Sequence, residues 1–149
     1  MSAYQTIVVG TDGSEPSLKA VDRAAAVAGA NATLIIACAY FPEEDRNVAS
    51  ASDALKDEAY QVHGSAPTDS ILRTAAERAT VAGAKNIRRQ SVIGAPVDAL
   101  LKLAADANAD LLVIGNRGLN SIAGRVLGSV PADVSRKSKS DVLIVHTYN

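Results

Sequence analysis

The sequence has few of the residues that cross-link or anchor small proteins: one cysteine and no tryptophan among 149 residues. The single cysteine, Cys38, excludes an intramolecular disulfide and suits a reducing compartment. It lies within LIIACAY, where a small buried hydrophobic residue is expected rather than a reactive thiol. No apolar run reaches the ~20 residues of a membrane span, and MSAYQTIVVG lacks the basic and long apolar regions of a secretory signal. We therefore expect a cytoplasmic protein without a membrane segment.

An excess of one charge sign is also absent, because 15 Lys and Arg residues are set against 16 Asp and Glu residues, giving a net charge of −1. So balanced a chain offers no broad basic surface for nucleic acid or for an anionic membrane. The small basic cluster of Lys85, Arg88 and Arg89 is interpreted as the solvated edge of a strand. His63 and His146 stand alone in the sequence, so we predict no metal site.

Five short runs rich in Ile, Val and Leu predict β-strands at residues 5–10, 32–40, 86–94, 110–115 and 141–147. Four of them are almost continuously hydrophobic, which is typical of parallel strands covered on both faces. Helical patterns fill the intervals at 16–29, 67–82 and 96–107, and a last helix is expected after Pro131. Ser14 and Gly29 are placed to cap the first helix.

Strands that alternate with helices predict βαβ units with right-handed crossovers. The expected fold is therefore a doubly wound α/β domain over residues 1–149, a parallel five-stranded sheet with helices on both faces. The segment 41–65 interrupts the alternation because it is long, polar and acidic at its start. Two interpretations stay open for it: a variable surface connection, which is favoured, or an excursion that covers a ligand.

The most unusual stretch is GNRGLNSIAGRVLGSVP, residues 115–131, which places four glycines directly after a strand. Its spacing is Gly115-x2-Gly118-x9-Gly128-Ser129, and it leads into the last helix. The first N–H groups of a helix are unpaired and carry the positive end of its dipole, so they favour a phosphate. The stretch has no lysine, so it is not a P-loop. On the residues alone, a phosphate ligand and a structural glycine-rich connection remain equally open.

With VGTDGS after the first strand and Gly94-x-Pro96 after the third, this spacing resembles the universal stress protein family. The likeness runs from the first strand to the final DVLIVH, excepting the segment 41–65. It implies a flavodoxin-like, Rossmann-like sheet of order 3-2-1-4-5. It also implies a homodimer in which the last strand, Asp141 to Thr147, pairs antiparallel with its two-fold mate. That strand would otherwise be an exposed apolar edge.

The resemblance further implies an adenine-nucleotide site in a cytoplasmic stress-response regulator, with ligand-binding residues but no catalytic or metal-binding ones. Three residues after the first strand would face the adenosine: Gly10, Thr11 and Asp12. The main chain near Ala39 would contact the adenine edge, and Ile114 and Gly115 would form the pocket floor. The residues left for ribose and phosphate are Arg117, Gly118, Gly128, Ser129 and Val130.

Three of these residues have alternative interpretations, and Thr11 could do no more than close the turn after the first strand. Asp12 could serve only an Asx-turn or a helix cap, although its position at a strand end favours ligand contact. Arg117 could equally be a solvated loop charge.

Pro131 departs from the family pattern, in which members that hold ATP commonly have Ser or Thr after Gly-Ser-Val. Proline removes a hydroxyl and a backbone N–H from the phosphate cradle, and each lost charge-assisted hydrogen bond is worth ~1.5–3 kcal/mol. We therefore expect cyclic AMP or AMP to bind at least as well as ATP, with Mg²⁺ expected only beside ATP.

Catalysis is not predicted, because the sequence offers no P-loop lysine, no G-x-S-x-G elbow and no Ser-His-Asp or Cys-His set. Binding without efficient turnover is the favoured interpretation. The alternatives are a weak ATPase that uses the same site and a structural dimer with a vestigial pocket.

Overall fold

A computed structural model of the chain describes residues 3–41, 65–116 and 129–146. These ranges form five strands and four helices that alternate along the chain. The strands are β1 (Thr6–Gly10), β2 (Thr33–Tyr40), β3 (Asn86–Ile93), β4 (Leu111–Gly115) and β5 (Asp141–Val145). The helices are α1 (Glu15–Ala28), α2 (Ser65–Ala82), α3 (Pro96–Asp106) and α4 (Ser129–Lys137).

All five strands belong to one parallel sheet with the order β3-β2-β1-β4-β5. The predicted doubly wound α/β fold and its strand order are thereby confirmed. The chain moves outward from β1 to β3, then crosses back to β4 on the other side of β1. The strand order therefore reverses beside β1, which is where sheets of this kind bind ligands.

Two hydrophobic cores cover the two faces of the sheet. Strand side chains alternate between the faces, so neighbours in β1 enter different cores. The core under α1 and α2 includes Ile7, Val9, Leu34, Ile36, Cys38 and Leu72. The core under α3 and α4 includes Val8, Ile35, Leu100, Ile114 and Val134. The central strands are thus covered on both faces, as their unbroken hydrophobic runs predict.

The ends of α1 follow from local chemistry. The Ser14 hydroxyl accepts a hydrogen bond from the amide of Ser17 at 3.4 Å, and Gly29 ends the helix with a φ of 56°. Both predicted caps are confirmed.

The last helix begins at Ser129, before Pro131, so the predicted start after the proline was late. Proline is accepted in a first helical turn because the N–H that it lacks has no intrahelical partner there.

Helices α1 and α2 are joined by Arg78, whose guanidinium lies 2.9 Å from a carboxylate oxygen of Glu15 and also pairs with Asp22. The two acids raise the pKa of Arg78, chiefly through the hydrogen bond to Asp22. The pairing holds α2 against the first turn of α1. None of the helices in the described ranges is long and apolar enough to cross a bilayer.

At the amino ends of β1 and β4, Asp110 connects the two strands. Its carboxylate accepts the amides of Gln5 at 2.9 Å and Thr6 at 3.0 Å. Its own amide donates to the Thr6 carbonyl at 3.0 Å. Partial burial acts to raise the pKa of Asp110, but the backbone N–H donors outweigh it, so the pKa lies below its usual value. The ionised carboxylate therefore stabilises the register of the central strands.

We expect Asp110→Ala to lower the free energy of unfolding by about 1–2 kcal/mol at pH 7, because two backbone donors lose their acceptor. The folded pKa is depressed, so this stability is present above the unfolded pKa and is lost as the pH falls through the folded value. Urea unfolding from pH 7 down to about 3 should show the two proteins converging. The control, Asp106→Ala, removes an exposed ion pair with Lys102 and should change stability much less than Asp110→Ala does.

Candidate functional site

Strand β1 ends before both of its neighbours. Its last residue, Gly10, pairs with Ala37, whereas β2 continues through Cys38, Ala39 and Tyr40 with β3 as its strand partner there. On the other side, Val113 pairs with Val9, and β4 continues through Ile114 and Gly115 alongside β5. This arrangement leaves a gap above Gly10 between the ends of β2 and β4. We call this gap the notch; Ala39 and Gly115 lie on either side of it, and Asp12 lies at its base, two residues beyond Gly10.

The order and direction of the strands thus place five of the residues proposed for the site at this edge of the sheet: Gly10, Thr11, Asp12, Ala39 and Gly115.

The loop that follows β1 is held by two hydroxyl groups. The Thr11 amide donates to the Ala37 carbonyl at 2.9 Å, and the Thr11 hydroxyl lies 2.7 Å from that of Ser17. The Ser17 hydroxyl also accepts from the Asp12 amide at 3.3 Å, and the Thr11 hydroxyl accepts from the Gly13 amide at 3.1 Å. Thr11 and Ser17 are almost fully buried. This loop is therefore set in place by the fold before any ligand arrives.

Ser17 was missed by the sequence interpretation, which named Ser14 as the cap of this helix. The available signal was a second serine in the first turn of α1, where hydroxyl side chains bond to nearby backbone groups.

The two carboxylate oxygens of Asp12 are in different situations. Oδ1 accepts the amide of Ser14 at 2.9 Å, which is the Asx-turn of the alternative interpretation. Oδ2 is buried and has no hydrogen-bond partner within residues 3–41, 65–116 and 129–146. A buried carboxylate oxygen without a donor is unfavourable, so Oδ2 has an unmet demand for an N–H or O–H group. Asp12 can therefore hold the loop with one oxygen and a ligand with the other.

Cys38 lies below the loop, on the side of the sheet that α1 and α2 cover. Burial raises the pKa of the thiol to about 12, and the negative charge of Asp12 raises it as well, against an opposing hydrogen bond with Thr68. The thiol is thus protonated at neutral pH and is not a nucleophile. This agrees with the sequence interpretation of Cys38 as a small buried residue.

Two residues border the notch without directing a side chain to it. The Ile114 side chain is fully buried in the core under α3 and α4. The position of a Cβ on Gly10 would lie 2.6 Å from Leu100 Cδ1, in the same core. Only the main chain of these residues is left to meet a ligand.

The ends of β4 and β5 contribute a polar pair that the sequence interpretation did not include. The Asn116 amide donates to the Val145 carbonyl at 2.9 Å, and Asn116 Nδ2 lies 3.3 Å from His146 Nδ1. Asn116 directly follows Gly115 at the notch. Sequence alone gave no signal for this pair, because the two residues are brought together by the pairing of β4 with β5.

Arg117, Gly118 and Gly128 lie outside the described residues, as does the interior of the segment 41–65. Ser129 and Val130 are the first two residues of α4, so their amides belong to the unpaired amides of this helix start. In the described part of the chain, no group of three or more His, Cys, Asp or Glu residues could hold a metal ion.

A cavity of about 860 Å³ opens at the opposite edge of the sheet, between the C-terminal ends of α3 and α4. Lys137 and Lys139 line it, and cations are expected where helices end because the dipole is negative there. Its size alone does not make it the ligand site, since the strand order reverses at the notch and not at this edge.

We expect Cys38 to react with iodoacetamide at least about 100-fold more slowly in the native protein than in urea, because the native thiol is buried and protonated. Mass spectrometry of timed samples at pH 8 measures both rates. The control variant Cys38→Ala/Ser135→Cys carries an exposed thiol and should react at similar rates in both conditions. Equal rates for native and unfolded wild type would contradict the burial of Cys38.

Comparison with known proteins identifies relatives over the whole fold. The model of the universal stress protein family matches residues 3–146. Universal stress protein Rv1636 of Mycobacterium tuberculosis is 63% identical over 147 residues, covering 99% of each chain. A crystal structure of a universal stress protein in complex with cAMP is 56% identical, with a TM-score of 0.76, and covers 99% of this chain and 100% of that one. The crystal structure of Rv1636 is 55% identical, with a TM-score of 0.64 and 99% of each chain covered.

The family match spans nearly the whole chain, and the strand order of the sheet is the one that the resemblance implies. The chain belongs to the universal stress protein family.

Proposed function

We propose that this protein binds an adenine nucleotide in the notch, that it binds cyclic AMP at least as well as ATP, and that it acts as a regulator rather than an enzyme. The observation that carries the proposal is the buried Oδ2 of Asp12, which has no hydrogen-bond partner among the described residues. It lies two residues beyond the end of β1, where the strand order reverses. A relative with 56% identity was crystallised with cAMP, which supports the same ligand class.

The chemistry of a nucleoside suits what the notch leaves unpaired. A ribose hydroxyl or an adenine amino group would donate to Asp12 Oδ2 and relieve its burial. Beyond Gly10, the main chain of Ala39 has no strand partner on the β1 side among the described residues. Backbone N–H and C=O groups in that position can pair with the edge of an adenine ring. In this proposal, Asp12 accepts a hydrogen bond from a hydroxyl or amino group of the nucleotide, and the main chain of Ala39 pairs with the edge of the adenine ring.

The charge of the site favours a nucleotide with little phosphate charge. Asp12 is the charged residue between β1 and α1, and it is acidic; Glu15, which begins α1, is already paired with Arg78 at 2.9 Å. Cyclic AMP carries one negative charge, whereas ATP carries up to four, so repulsion disfavours ATP more. Pro131, within the first turn of α4, supplies neither a hydroxyl nor an N–H to a phosphate. Mg²⁺ would be needed only to offset the charge of ATP.

The proposal of a regulator without turnover rests on what the site residues can do. Cys38 is buried with a raised pKa, and phosphoryl transfer would need charge stabilisation of the leaving phosphate, which the acidic loop does not supply. Two alternatives compete with this proposal: weak ATP hydrolysis at the same site, and a structural dimer with a vestigial pocket. Release of phosphate from Mg²⁺-ATP above the buffer rate would favour weak hydrolysis. The absence of any nucleotide binding would favour the structural dimer.

We expect Asp12→Ala to weaken cyclic AMP binding by at least about tenfold, because it removes the acceptor of a buried, charge-assisted hydrogen bond. Isothermal titration calorimetry on wild type and variant measures the change. The matched control is Asp106→Ala, at the end of α3 beside the opposite edge of the sheet, which should leave the affinity unchanged. Wild type should bind ATP no more tightly than cyclic AMP; ATP bound tenfold more tightly would contradict the preference.

We also propose that the protein is a homodimer through β5, as the family resemblance implies. The two edges of the sheet differ in chemistry. Edge strand β3 exposes Arg88, Arg89 and Gln90, which discourage pairing with another strand. Edge strand β5 instead carries Leu143 and Ile144, and Ile144 is 43% exposed. Antiparallel pairing of two β5 strands would cover this apolar edge.

The proposed dimer is tested with two variants, one that introduces a lysine on edge strand β5 and one that introduces a lysine on edge strand β3. We expect Ile144→Lys to shift the mass measured by light scattering from twice the chain mass of 15.3 kDa to the chain mass itself, because a charge would be buried in the interface. The control is Ile93→Lys on edge strand β3, where the side chain is 63% exposed, and it should remain dimeric. A monomeric wild type, or dissociation by the control alone, would exclude β5 as the interface.

A further inference from the structure

We propose that Leu100 of α3 is a positioning residue for the nucleotide site: it fills the space beside Gly10 and so determines where β1 ends and the Asp12 loop begins. Gly10 then lacks a side chain because of Leu100 and not because a ligand approaches it. The proposal rests on the proposed function, since the property that Leu100 is inferred to control is nucleotide affinity.

The contact is close on three atoms. A Cβ placed on the Gly10 backbone would lie 2.6 Å from Leu100 Cδ1, 3.1 Å from Cδ2 and 3.4 Å from Cγ. Carbon atoms that are not bonded pack best at about 3.5–4.0 Å, so the space for even one methyl group is absent. Both methyl groups of Leu100 lie closer to the added carbon than this distance.

Leu100 has little freedom to move away. Its side chain is 1% exposed and belongs to the core with Val8, Ile35 and Ile114. Interiors are packed to nearly crystalline density, so an added methyl group is accommodated by shifts of backbone as well as of side chains. We infer that the end of β1 would move, because strand pairing stops at Gly10 and, in the described part of the chain, one backbone hydrogen bond, from Thr11 to Ala37, ties the next residue to β2.

The backbone conformation of Gly10 does not explain the glycine. Its φ lies outside the left-handed region that favours glycine, unlike the φ of +87° at Gly13. Alanine would be acceptable to the backbone at position 10, and the three atoms nearest to its methyl group all belong to Leu100. This makes Gly10 a clean position for testing a steric contact.

A shift of the strand end would reach the site directly. The next residue, Thr11, bonds to Ala37 at 2.9 Å and to Ser17 at 2.7 Å, and these contacts hold the Asp12 amide. Leu100 also shares its core with Ile114, which precedes Gly115 on the other side of the notch. One side chain thus supports the end of β1 below the notch and the end of β4 beside it.

The two explanations for Gly10 predict opposite results for a double variant. If the ligand needs Gly10 free of a side chain, a methyl group there blocks binding whatever residue occupies position 100. If Leu100 is responsible, its replacement by alanine removes all three clashing atoms and makes room for the methyl group. Gly10→Ala/Leu100→Ala should then bind better than Gly10→Ala.

The experiment is calorimetric titration of cyclic AMP, and of ATP, into wild type, Gly10→Ala, Leu100→Ala and the double variant, at a temperature where circular dichroism shows each to be folded. We expect Gly10→Ala to lose at least about tenfold in affinity and the double variant to recover most of that loss. A double variant as weak as Gly10→Ala overturns the proposal.

The matched control for the second substitution is Leu34→Ala, which empties a similar volume in the core on the other face of the sheet. Gly10→Ala/Leu34→Ala should show no recovery, because Leu34 is not among the atoms that meet the added methyl group. Recovery in both double variants would mean a general loosening of the protein and would also overturn the proposal. If Gly10→Ala does not fold, the comparison of the two double variants still decides, since only the one lacking Leu100 should fold and bind.

A second measurement needs no ligand and separates this proposal from the proposed function. In ¹H–¹⁵N spectra, the amides of Thr11, Gly13 and Ser14 should shift in Gly10→Ala and return in the double variant with Leu100→Ala. If wild type binds neither nucleotide, the proposed function fails while these amides still test the role of Leu100. Unshifted loop amides in Gly10→Ala would show that Leu100 does not set the strand end.

Discussion

Ile7, Val8 and Val9 have no exposed surface, and because they alternate between the two faces of the sheet, β1 requires a helical layer on each side. Burial of this central strand is the constraint on which the rest of the structure depends. Because crossovers are right-handed, α1 and α2 cover one face and α3 and α4 the other only if strands are added first on one side of β1 and then on the other. The notch is a direct consequence, because a strand at this reversal point ends between two neighbours whose chains lead away from each other.

The loop after β1 shows how a packing requirement becomes a binding surface. The buried hydroxyl pair of Thr11 and Ser17 holds the loop, and the Ser14 amide takes up one oxygen of Asp12. The other oxygen is left without a partner in the described ranges. Folding thus leaves one acceptor unsatisfied at the place where the strand order reverses. A ligand that supplies a donor there gains the hydrogen bond without paying to order the loop.

Much of the fold could be predicted from the sequence. The hydrophobic runs located all five strands, and Ser14 and Gly29 gave both ends of α1, because these signals depend on neighbouring residues. The start of α4 was placed late, since proline is compatible with a first helical turn as well as with the residue before it. For the site, Asp12, Ala39 and Gly115 could be placed at one edge of the sheet from the sequence, because the carboxyl ends of parallel strands lie at the same edge.

By itself, the sequence determined the strand and helix pattern, the family motifs and the acidic residue at the end of the first strand, all of which are local in the chain. Only the tertiary structure decided which atoms from distant parts of the chain come into contact. The contact of Leu100 with Gly10 and the approach of Asn116 to His146 join residues far apart in sequence. Strand register and helix packing set such distances to within fractions of an ångström, and no pattern of residue types along the chain carries that information.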